Sequence, residues 1–469
     1  MLFSSLTFIF IFLPLLLIFY FSFKNIKIKN IILLVFSLIF YSWGEPKYIL
    51  LMLITTLVIY TFGILISNNK NNKKKSKIFL TLGIIFVLSL LFIFKYFNFF
   101  ISTLNSVINS KIKLTNLVLP LGISFYSFQL LSYLIDLYKD KVQIQKNYLK
   151  LLLYVSFFPQ LIAGPIVRYE TIEQEIDNRK TTLNDFIEGF KRVILGLAKK
   201  VLIANNVAAF CDYVYSNFNH YGSSILWVAA IAYTIQIYFD FSGYSDMAIG
   251  LGRIFGFKFL ENFNYPYTAT SITDFWRKWH ISLSTFFRDY VYIPLGGNRV
   301  KKPIQIRNIL IVWFLTGLWH GASWNFIIWG MYYGIILLIE KFILKKYLDK
   351  LPIFIKRIYS IIIIIIGWVI FRIEEIPQLL KILKIMFTFK QSNYLNLFQE
   401  NLFLITYIPF IILGIIFSLP IYKKFKNKIN QSKKIYLTLI DDLILGILFG
   451  LSVMSLVSNQ YNPFIYFRF

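Results

Sequence analysis

Long apolar stretches without a charged side chain are the feature that most limits what this chain can fold into. The first occupies residues 1–21 and reads MLFSSLTFIFIFLPLLLIFYF. A helix that crosses a bilayer needs about 20 mostly apolar residues, so this stretch is long enough to span a membrane. Across the chain 57% of the residues are hydrophobic and only 15% are charged. Because a water-soluble fold cannot bury so much apolar surface, the sequence predicts an integral membrane protein.

The apolar stretches recur along the whole chain, and no long polar segment separates them. We predict an all-α polytopic membrane protein with about 11 to 13 transmembrane helices, organised as one membrane-embedded domain over residues 1–469. The first stretch has no basic leader and no small-residue cleavage site, so we interpret it as a retained span and not as a signal peptide. The stretches lie near residues 3–23, 30–43, 48–66, 78–100, 118–138, 149–163, 186–210, 224–250, 304–320, 323–344, 356–371, 402–419 and 437–458.

The net charge of +27 does not indicate a nucleic-acid-binding protein. The lysines cluster in short loops between apolar stretches, as in NNKNNKKKSK at 68–77, and cytoplasmic loops of membrane proteins collect such charges. Alternation of basic and charge-poor loops predicts an outer N-terminus. The basic loop at 423–434 is then inside, so the last span carries the C-terminal tail, residues 459–469, to the outer face.

Residues 251–303 form an amphipathic segment that fits neither a span nor a free loop. Tryptophan and phenylalanine alternate there with arginine, aspartate and histidine, as in SITDFWRKWHISLSTFFRDYVYIPLGGNR. Segments of this composition usually lie at the membrane interface or re-enter the membrane, where protein buries the backbone or water lines it. We therefore predict re-entrant or interfacial helices over this segment.

Two histidines lie in places where a polar group needs a reason. His320 falls within the apolar stretch WFLTGLWHGASWN, and His280 lies forty positions earlier in the amphipathic segment. Ionisable residues at membrane depth are costly and commonly functional, although a histidine can also tie helices together through hydrogen bonds. The chain has one cysteine, Cys211, so disulfides and cysteine metal clusters are excluded, and we expect no metal site.

Carboxylates mark a third place. Asp240 and Asp246 lie in or beside the span YFDFSGYSDMAIG, where they either line an aqueous cavity or act as buried structural groups. These residues together predict a polar cavity that contains histidine. The residues by themselves leave both an enzyme and a transporter open.

The same stretches carry a family resemblance. YSWGEPKYILLML, FFPQLIAGPIVRYE, YFDFSGYSDMAIGLGRIFGF, DFWRKWHISLSTFFRDYVYIPLGGNR, GLWHGASWNFIIWGMYYG and the terminal YNPFIYFRF together resemble bacterial membrane-bound O-acyltransferases, or MBOAT proteins. The resemblance is strongest to the branch that contains the membrane subunits of alginate and peptidoglycan O-acetylation. The membrane subunit of teichoic-acid D-alanylation is a similar but less close relative, so D-alanyl transfer is an alternative. Two readings of another class are a transporter of acyl groups or lipid-linked sugars and a non-catalytic scaffold for an outer enzyme.

The resemblance implies a helical bundle around a central funnel in the bacterial cytoplasmic membrane. It implies that His320 is the signature catalytic histidine and His280 the second histidine of the bacterial branch. Acetyl-CoA would be the donor without any permanently bound cofactor, and an extracytoplasmic SGNH-type acetyltransferase would pass the group to a polysaccharide. We expect His320 to be the general base and His280 to orient the nucleophile or the thioester.

Five further residues are expected to line or support the cavity: Asp240, Asp246, Arg288, Trp319 and Asn325. The aromatic tail has two interpretations. It is either an interfacial anchor, because tyrosine, phenylalanine and arginine favour the headgroup level, or an acyl relay in which the Tyr466 phenol accepts the acyl group. Of the two tail tyrosines, Tyr466 is a better relay candidate than Tyr461.

Overall fold

A computed structural model describes residues 1–162, 164–388, 397–432, 435–458 and 461–468, without the side chains of 397–403, 430, 467 and 468. Every regular element in these ranges is a helix, so the all-α class is confirmed. The chain divides into two compact units. Unit 1 comprises Met1–Val193 and Met247–Leu260, and unit 2 comprises Ile194–Asp246 and Glu261–Phe469. The prediction of one domain over 1–469 stays a prediction.

Unit 1 is built from helices, the last of which continues into unit 2. Asparagine side chains cap several of its helices: Asn25 accepts from the amide of Lys27, and Asn72 from that of Lys75. The helices are α1 (Leu13–Ser22), α2 (Ile26–Gly44), α3 (Ile49–Asn68), α4 (Lys73–Leu91), α5 (Phe97–Ile108), α6 (Ile123–Tyr138), α7 (Tyr148–Ser156), α8 (Phe158–Leu161), α9 (Tyr169–Asn178) and the start of α10 (Leu183–Ala198).

Unit 2 contains the remaining helices, except for residues 247–254 at the end of the helix Ser223–Ile254, and a core that is rich in aromatic rings. Trp279, Trp329 and Trp368 are almost completely buried in it. A π-helical turn, Lys199–Ala204, follows α10 and leads into α11. The helices are α11 (Asn205–Ser216), α12 (Ser223–Ile254), α13 (Ile272–Lys278), α14 (Ile281–Phe287), α15 (Lys302–His320), α16 (Trp324–Ile339), α17 (Lys345–Leu348), α18 (Ile353–Arg372), α19 (Ile376–Phe387), α20 (Leu397–Phe417), α21 (Ile421–Ser432) and α22 (Ile435–Ser458).

Eight helices among the described residues are long and apolar enough to cross a membrane. A ninth is added if the bent pair Leu404–Phe417 and Ile421–Ile429 counts as one span. The polytopic class is confirmed, but the count is below the predicted 11 to 13. The physical reason is length: the apolar stretch at 118–138 forms α6 with 16 residues, and the stretch at 149–163 forms α7 with 9. Such helices are too short to cross a bilayer alone.

The long helices carry apolar side chains on their outer surface. On α22, Ile447 is 53% exposed and Met454 is 67% exposed. Water would disfavour such a surface, whereas lipid tails solvate it, so the exposed apolar residues agree with a membrane protein. The predicted inner loop at 423–434 lies partly outside the described residues, since 433 and 434 are not included. The orientation of the chain stays a prediction.

The amphipathic segment contains two short helices in its unit 2 part. Both α13 and α14 have seven residues, which is too few to span a membrane. The amide of Asn264 donates to the carbonyl of Lys278 over 2.9 Å and fixes the loop that leads into α13. Between the two helices the chain turns at His280, and this turn positions the site described next.

Candidate active site

A cavity of about 900 Å³ in unit 2 is lined by both predicted histidines, His280 and His320. Its wall also carries more cationic than anionic side chains: Arg277, Arg288, Lys341, Lys345 and Lys356 against Asp274, Glu340 and Asp349. Two of the acids already have partners. Asp274 accepts from Lys278 over 2.8 Å, and Glu340 accepts from the amide of Ile272 over 2.6 Å. Arg288 is likewise paired, with Asp289; setting aside the ion-paired Asp274 and Arg288 leaves four cations against two acids, so the cavity wall carries a net positive charge.

His320 is the last residue of α15, where the chain turns back into α16. The two helices approach so closely that a Cβ on Gly317 would lie 2.4 Å from the carbonyl oxygen of Phe326. A Cβ on Gly330 would lie 2.3 Å from that of Trp313. Glycine at both positions therefore lets the hairpin close. His320 is consequently 4% exposed and packed among aromatic rings.

His280 links α13 to α14 in a left-handed backbone conformation, with a φ of 44°. Residues other than glycine adopt this region rarely, and such strain tends to occur at functional sites. Asn262 holds the turn: its carbonyl accepts from the amide of Ile281 over 2.9 Å. Its side chain accepts from the amide and the hydroxyl of Ser282 at 3.1 and 2.9 Å. The imidazole is thereby fixed in the interior, 1% exposed.

The C-terminal tail brings Tyr466 to His280. The phenolic oxygen lies 3.0 Å from Nε2 of His280, and the phenol ring lies 4.5 Å from the ring of Phe241. The predicted tail covers 459–469, of which 459, 460, 469 and the side chains of 467 and 468 lie outside the described residues. Of the two tail tyrosines, Tyr461 instead donates its hydroxyl to Asp212.

Burial sets the protonation of both partners in this contact. It lowers the pKa of His280 to about 3 and raises the pKa of the Tyr466 phenol, with nearby Asp240 adding to the second effect. At physiological pH His280 is therefore a neutral imidazole and Tyr466 a neutral phenol. A neutral imidazole nitrogen can accept the proton of a hydroxyl that attacks an electrophile.

The supporting residues predicted from the sequence divide into two groups. Trp319 joins the two histidines, because its ring lies 5.8 Å from that of His280 and 5.0 Å from that of His320. Asp240 accepts from the amide of Ile465 in the tail over 2.9 Å. These residues therefore form one continuous set with Tyr466.

The second group acts further from the histidines. Asn325 is fully buried and donates to the carbonyl of Phe371 over 3.1 Å, and the ring of Phe371 lies 5.2 Å from that of His320. Arg288 lines the cavity and binds its neighbour Asp289 at 2.7 Å. Asp246 pairs with Lys199 at 2.6 Å.

Two residues of the site escaped the sequence analysis. Lys200 forms a buried ion pair with Asp240, and Asn262 fixes the His280 turn. A signal existed for Lys200, because the pair Lys199–Lys200 interrupts the apolar stretch at 186–210. No signal existed for Asn262, since an asparagine in a polar loop is ordinary and its contacts depend on the folded turn.

The fold and the site define a polytopic membrane enzyme with two buried histidines in the wall of a cationic cavity. Residues 35–373 match the model of the membrane-bound O-acyltransferase family. The chain belongs to this family, and it is therefore an acyltransferase.

Relatives with named activities cover most of the chain. The probable alginate O-acetylase AlgI of Pseudomonas aeruginosa is 40% identical over 406 residues, which is 86% of this chain and 78% of the relative. The peptidoglycan O-acetyltransferase of Helicobacter pylori is 37% identical over 450 residues, 87% of this chain and 85% of the relative. The teichoic acid D-alanyltransferase of Bacillus subtilis is 30% identical over 242 residues, 49% of this chain and 61% of the relative.

Proposed function

We propose that this acyltransferase transfers an acetyl group from acetyl-CoA to the phenol of Tyr466, from which it passes to an extracytoplasmic polysaccharide or peptidoglycan. The observation that carries the proposal is the 3.0 Å contact between Nε2 of His280 and the hydroxyl of Tyr466. A general base must lie within about 2.6–3.2 Å of the group it deprotonates, and this pair meets that condition. An interfacial anchor would not need its hydroxyl on a buried imidazole.

The cavity suits a phosphorylated donor. Acetyl-CoA carries its thioester at the end of a long, flexible arm and its phosphates at the other end. Cations such as Arg277 and Lys345 line the cavity, and both histidines line it as well. Phosphates held by these cations would leave the thioester free to reach the histidines. The donor enters from the cytoplasmic side, and we propose the bacterial inner membrane as the site of the protein.

The reaction balances without any other reagent. The phenolic oxygen of Tyr466 attacks the thioester carbonyl carbon, so that a C–O bond forms and the C–S bond breaks. His280 accepts the phenolic proton, and this proton ends on the thiolate sulfur as free CoA. His320 donates a hydrogen bond to the carbonyl oxygen as charge builds up there. This division of roles is the reverse of the sequence-based expectation, in which His320 is the base.

The second transfer exploits the chemistry of the acetylated tail. Once the tail leaves its buried contact, phenoxide is a better leaving group than an alkoxide, because a phenol in water has a pKa of about 10. Acetyl-Tyr466 is therefore an activated ester on the outer side of the membrane. An SGNH-type acetyltransferase outside the cell membrane would take the group from it and esterify a glycan hydroxyl, and the proton of that hydroxyl would return to the leaving phenoxide and regenerate Tyr466. O-acetylation is favoured over D-alanyl transfer, because the O-acetylating relatives match most of the chain and the D-alanylating one about half.

The test uses the full chain in lipid nanodiscs with acetyl-CoA labelled in its acetyl group. We expect release of CoA and an acetyl label that mass spectrometry locates on Tyr466. Tyr466→Phe should lose the label, whereas Tyr461→Phe, the matched control, should keep it. A transporter would release no CoA. A scaffold would neither release CoA nor acquire the acetyl label. Unchanged glycan acetylation in cells that carry Tyr466→Phe would overturn the relay.

A further inference from the structure

An ion pair lies in the interior of unit 2 beneath the tail. Nζ of Lys200 is 2.6 Å from Oδ1 of Asp240, and the two side chains are 2% and 1% exposed. Lys200 belongs to the π-helical turn Lys199–Ala204, and Asp240 to the buried part of α12. A π-helical turn inside a run of helix often marks a functional position.

The pair is a weak source of stability. Removing two charges from water costs several kcal/mol for each ion, and well-packed apolar residues of similar volume often serve a fold equally well. The reason why this pair is buried therefore lies in what else the two side chains bind.

Both charged groups also bind the backbone of the tail. Lys200 donates to the carbonyl of Pro463, and Asp240 accepts from the amide of Ile465 over 2.9 Å. The two contacts have opposite polarity and bracket Phe464, whose ring stacks on that of Tyr244 with a centroid distance of 5.0 Å. The residue after Ile465 is Tyr466, which contacts His280.

We propose that the Lys200–Asp240 pair is a clamp for the tail backbone, and that it positions Tyr466 against His280. The clamp binds the peptide groups on both sides of Phe464, and the Phe464 ring stacks on Tyr244, so the two features together fix the register of the tail: a shift by one residue would put Pro463 or Ile465 in place of the Phe464 ring. Lys200 and Asp240 are therefore positioning residues. Their part in acetyl transfer rests on the function proposed above, whereas the clamp itself does not.

The chemistry of the clamp is directional, and this gives a sharp test. Lysine only donates and carboxylate only accepts, so exchanging the two residues restores the ion pair but reverses both contacts with the tail. A pair that serves the fold alone would tolerate the exchange. The readout is hydrogen–deuterium exchange of the tail amides, followed by mass spectrometry on the full chain in nanodiscs, with no donor and no acceptor present.

Three pairs of substitutions are compared. Lys200→Met with Asp240→Leu keeps the buried volume apolar, and we expect the tail amides to exchange roughly tenfold to a hundredfold faster. Lys200→Asp with Asp240→Lys should give the same loss of protection. The control is Lys199→Met with Asp246→Leu, which removes the neighbouring pair on the same two helices and should leave tail protection unchanged. Equal protection in the apolar pair, or protection restored by the exchange, would overturn the clamp.

A substitution in the tail covers the case in which a buried variant does not fold. Ile465→Pro removes the amide that donates to Asp240 and leaves Lys200 and Asp240 themselves unchanged. We expect the remaining tail amides to lose protection, and unchanged protection would contradict the proposal. In the acetylation assay, clamp variants should lower kcat for labelling Tyr466 while the KM for acetyl-CoA stays constant. Tail protection tests the clamp, and acetyl labelling tests the relay. Tyr466→Phe should lose the label but keep full tail protection, so a failure of one proposal can be told apart from a failure of the other.

Discussion

Replacing His280 by asparagine separates the imidazole from the backbone conformation that it occupies. His280 has a φ of 44° and a ψ of 55° at the start of α14. Asparagine tolerates this left-handed region better than other residues, whereas alanine there costs about 1–2 kcal/mol. His280→Asn and His280→Ala both delete the base, and the shorter asparagine side chain cannot take the place of the imidazole at Tyr466. The two variants should therefore share one catalytic defect but differ in stability.

The magnitudes follow from the geometry. A positioned general base contributes about 10²- to 10⁴-fold to a rate, so both variants should label Tyr466 more slowly by that factor. The lost hydrogen bond should cost about 1–3 kcal/mol in each. The free energy of unfolding of His280→Ala should be about 1 kcal/mol lower than that of His280→Asn, because alanine retains the backbone strain.

Two measurements check these expectations. Single-turnover transfer from labelled acetyl-CoA to Tyr466, quenched and read by mass spectrometry, gives the rate of the chemical step. Thermal unfolding in detergent gives the stability difference between the variants. An asparagine variant within about threefold of the parent rate would refute the assignment of His280 as the base. Equal stability of the two variants would refute the argument from backbone strain.

Two other predictions concern charge. Because burial lowers the pKa of His280 to about 3, its ¹⁵N NMR signals, assigned through their loss in His280→Gln, should not titrate between about pH 5 and 8. In the unfolded chain the His280 imidazole takes up its proton near a pKa of about 6.5, so the free energy of unfolding should decrease as the pH falls below that value. A titration midpoint near 6.5 in the folded protein would contradict the burial of His280. Arg277→Gln should raise the KM for acetyl-CoA about two- to fivefold at unchanged kcat. The control Lys301→Gln lies outside the cavity lining and should change neither constant. An unaltered KM in Arg277→Gln would show that Arg277 does not bind the donor.

The class of fold was accessible from the sequence, because the cost of exposing apolar helices to water acts on every residue of a stretch. The number of spans was not. Apolar stretches such as 118–138 contain enough hydrophobic residues for a span, but α6 begins only at Ile123, after Gly122, and has 16 residues. Where a helix begins or ends depends on local capping and on packing against neighbours, which hydropathy does not record.

Most residues of the candidate site were also accessible. His280, His320 and Asp240 attract notice individually, because ionisable groups in apolar surroundings are expensive. The sequence does not show how these residues are arranged in space. Tyr466 and His280 are 186 positions apart in the chain, and only the folded tail brings them within 3.0 Å.

The sequence by itself determined that this protein lies in a membrane, that it is helical, and which of its polar residues are unusual. The tertiary structure decided that His280 and not another group meets the Tyr466 phenol, and that Lys200 and Asp240 bind the tail backbone. The physical reason is range. Hydrophobicity is a sum over neighbouring residues and can be read along the chain, whereas hydrogen bonds require atoms within about 3 Å of each other, a condition that only packing can meet.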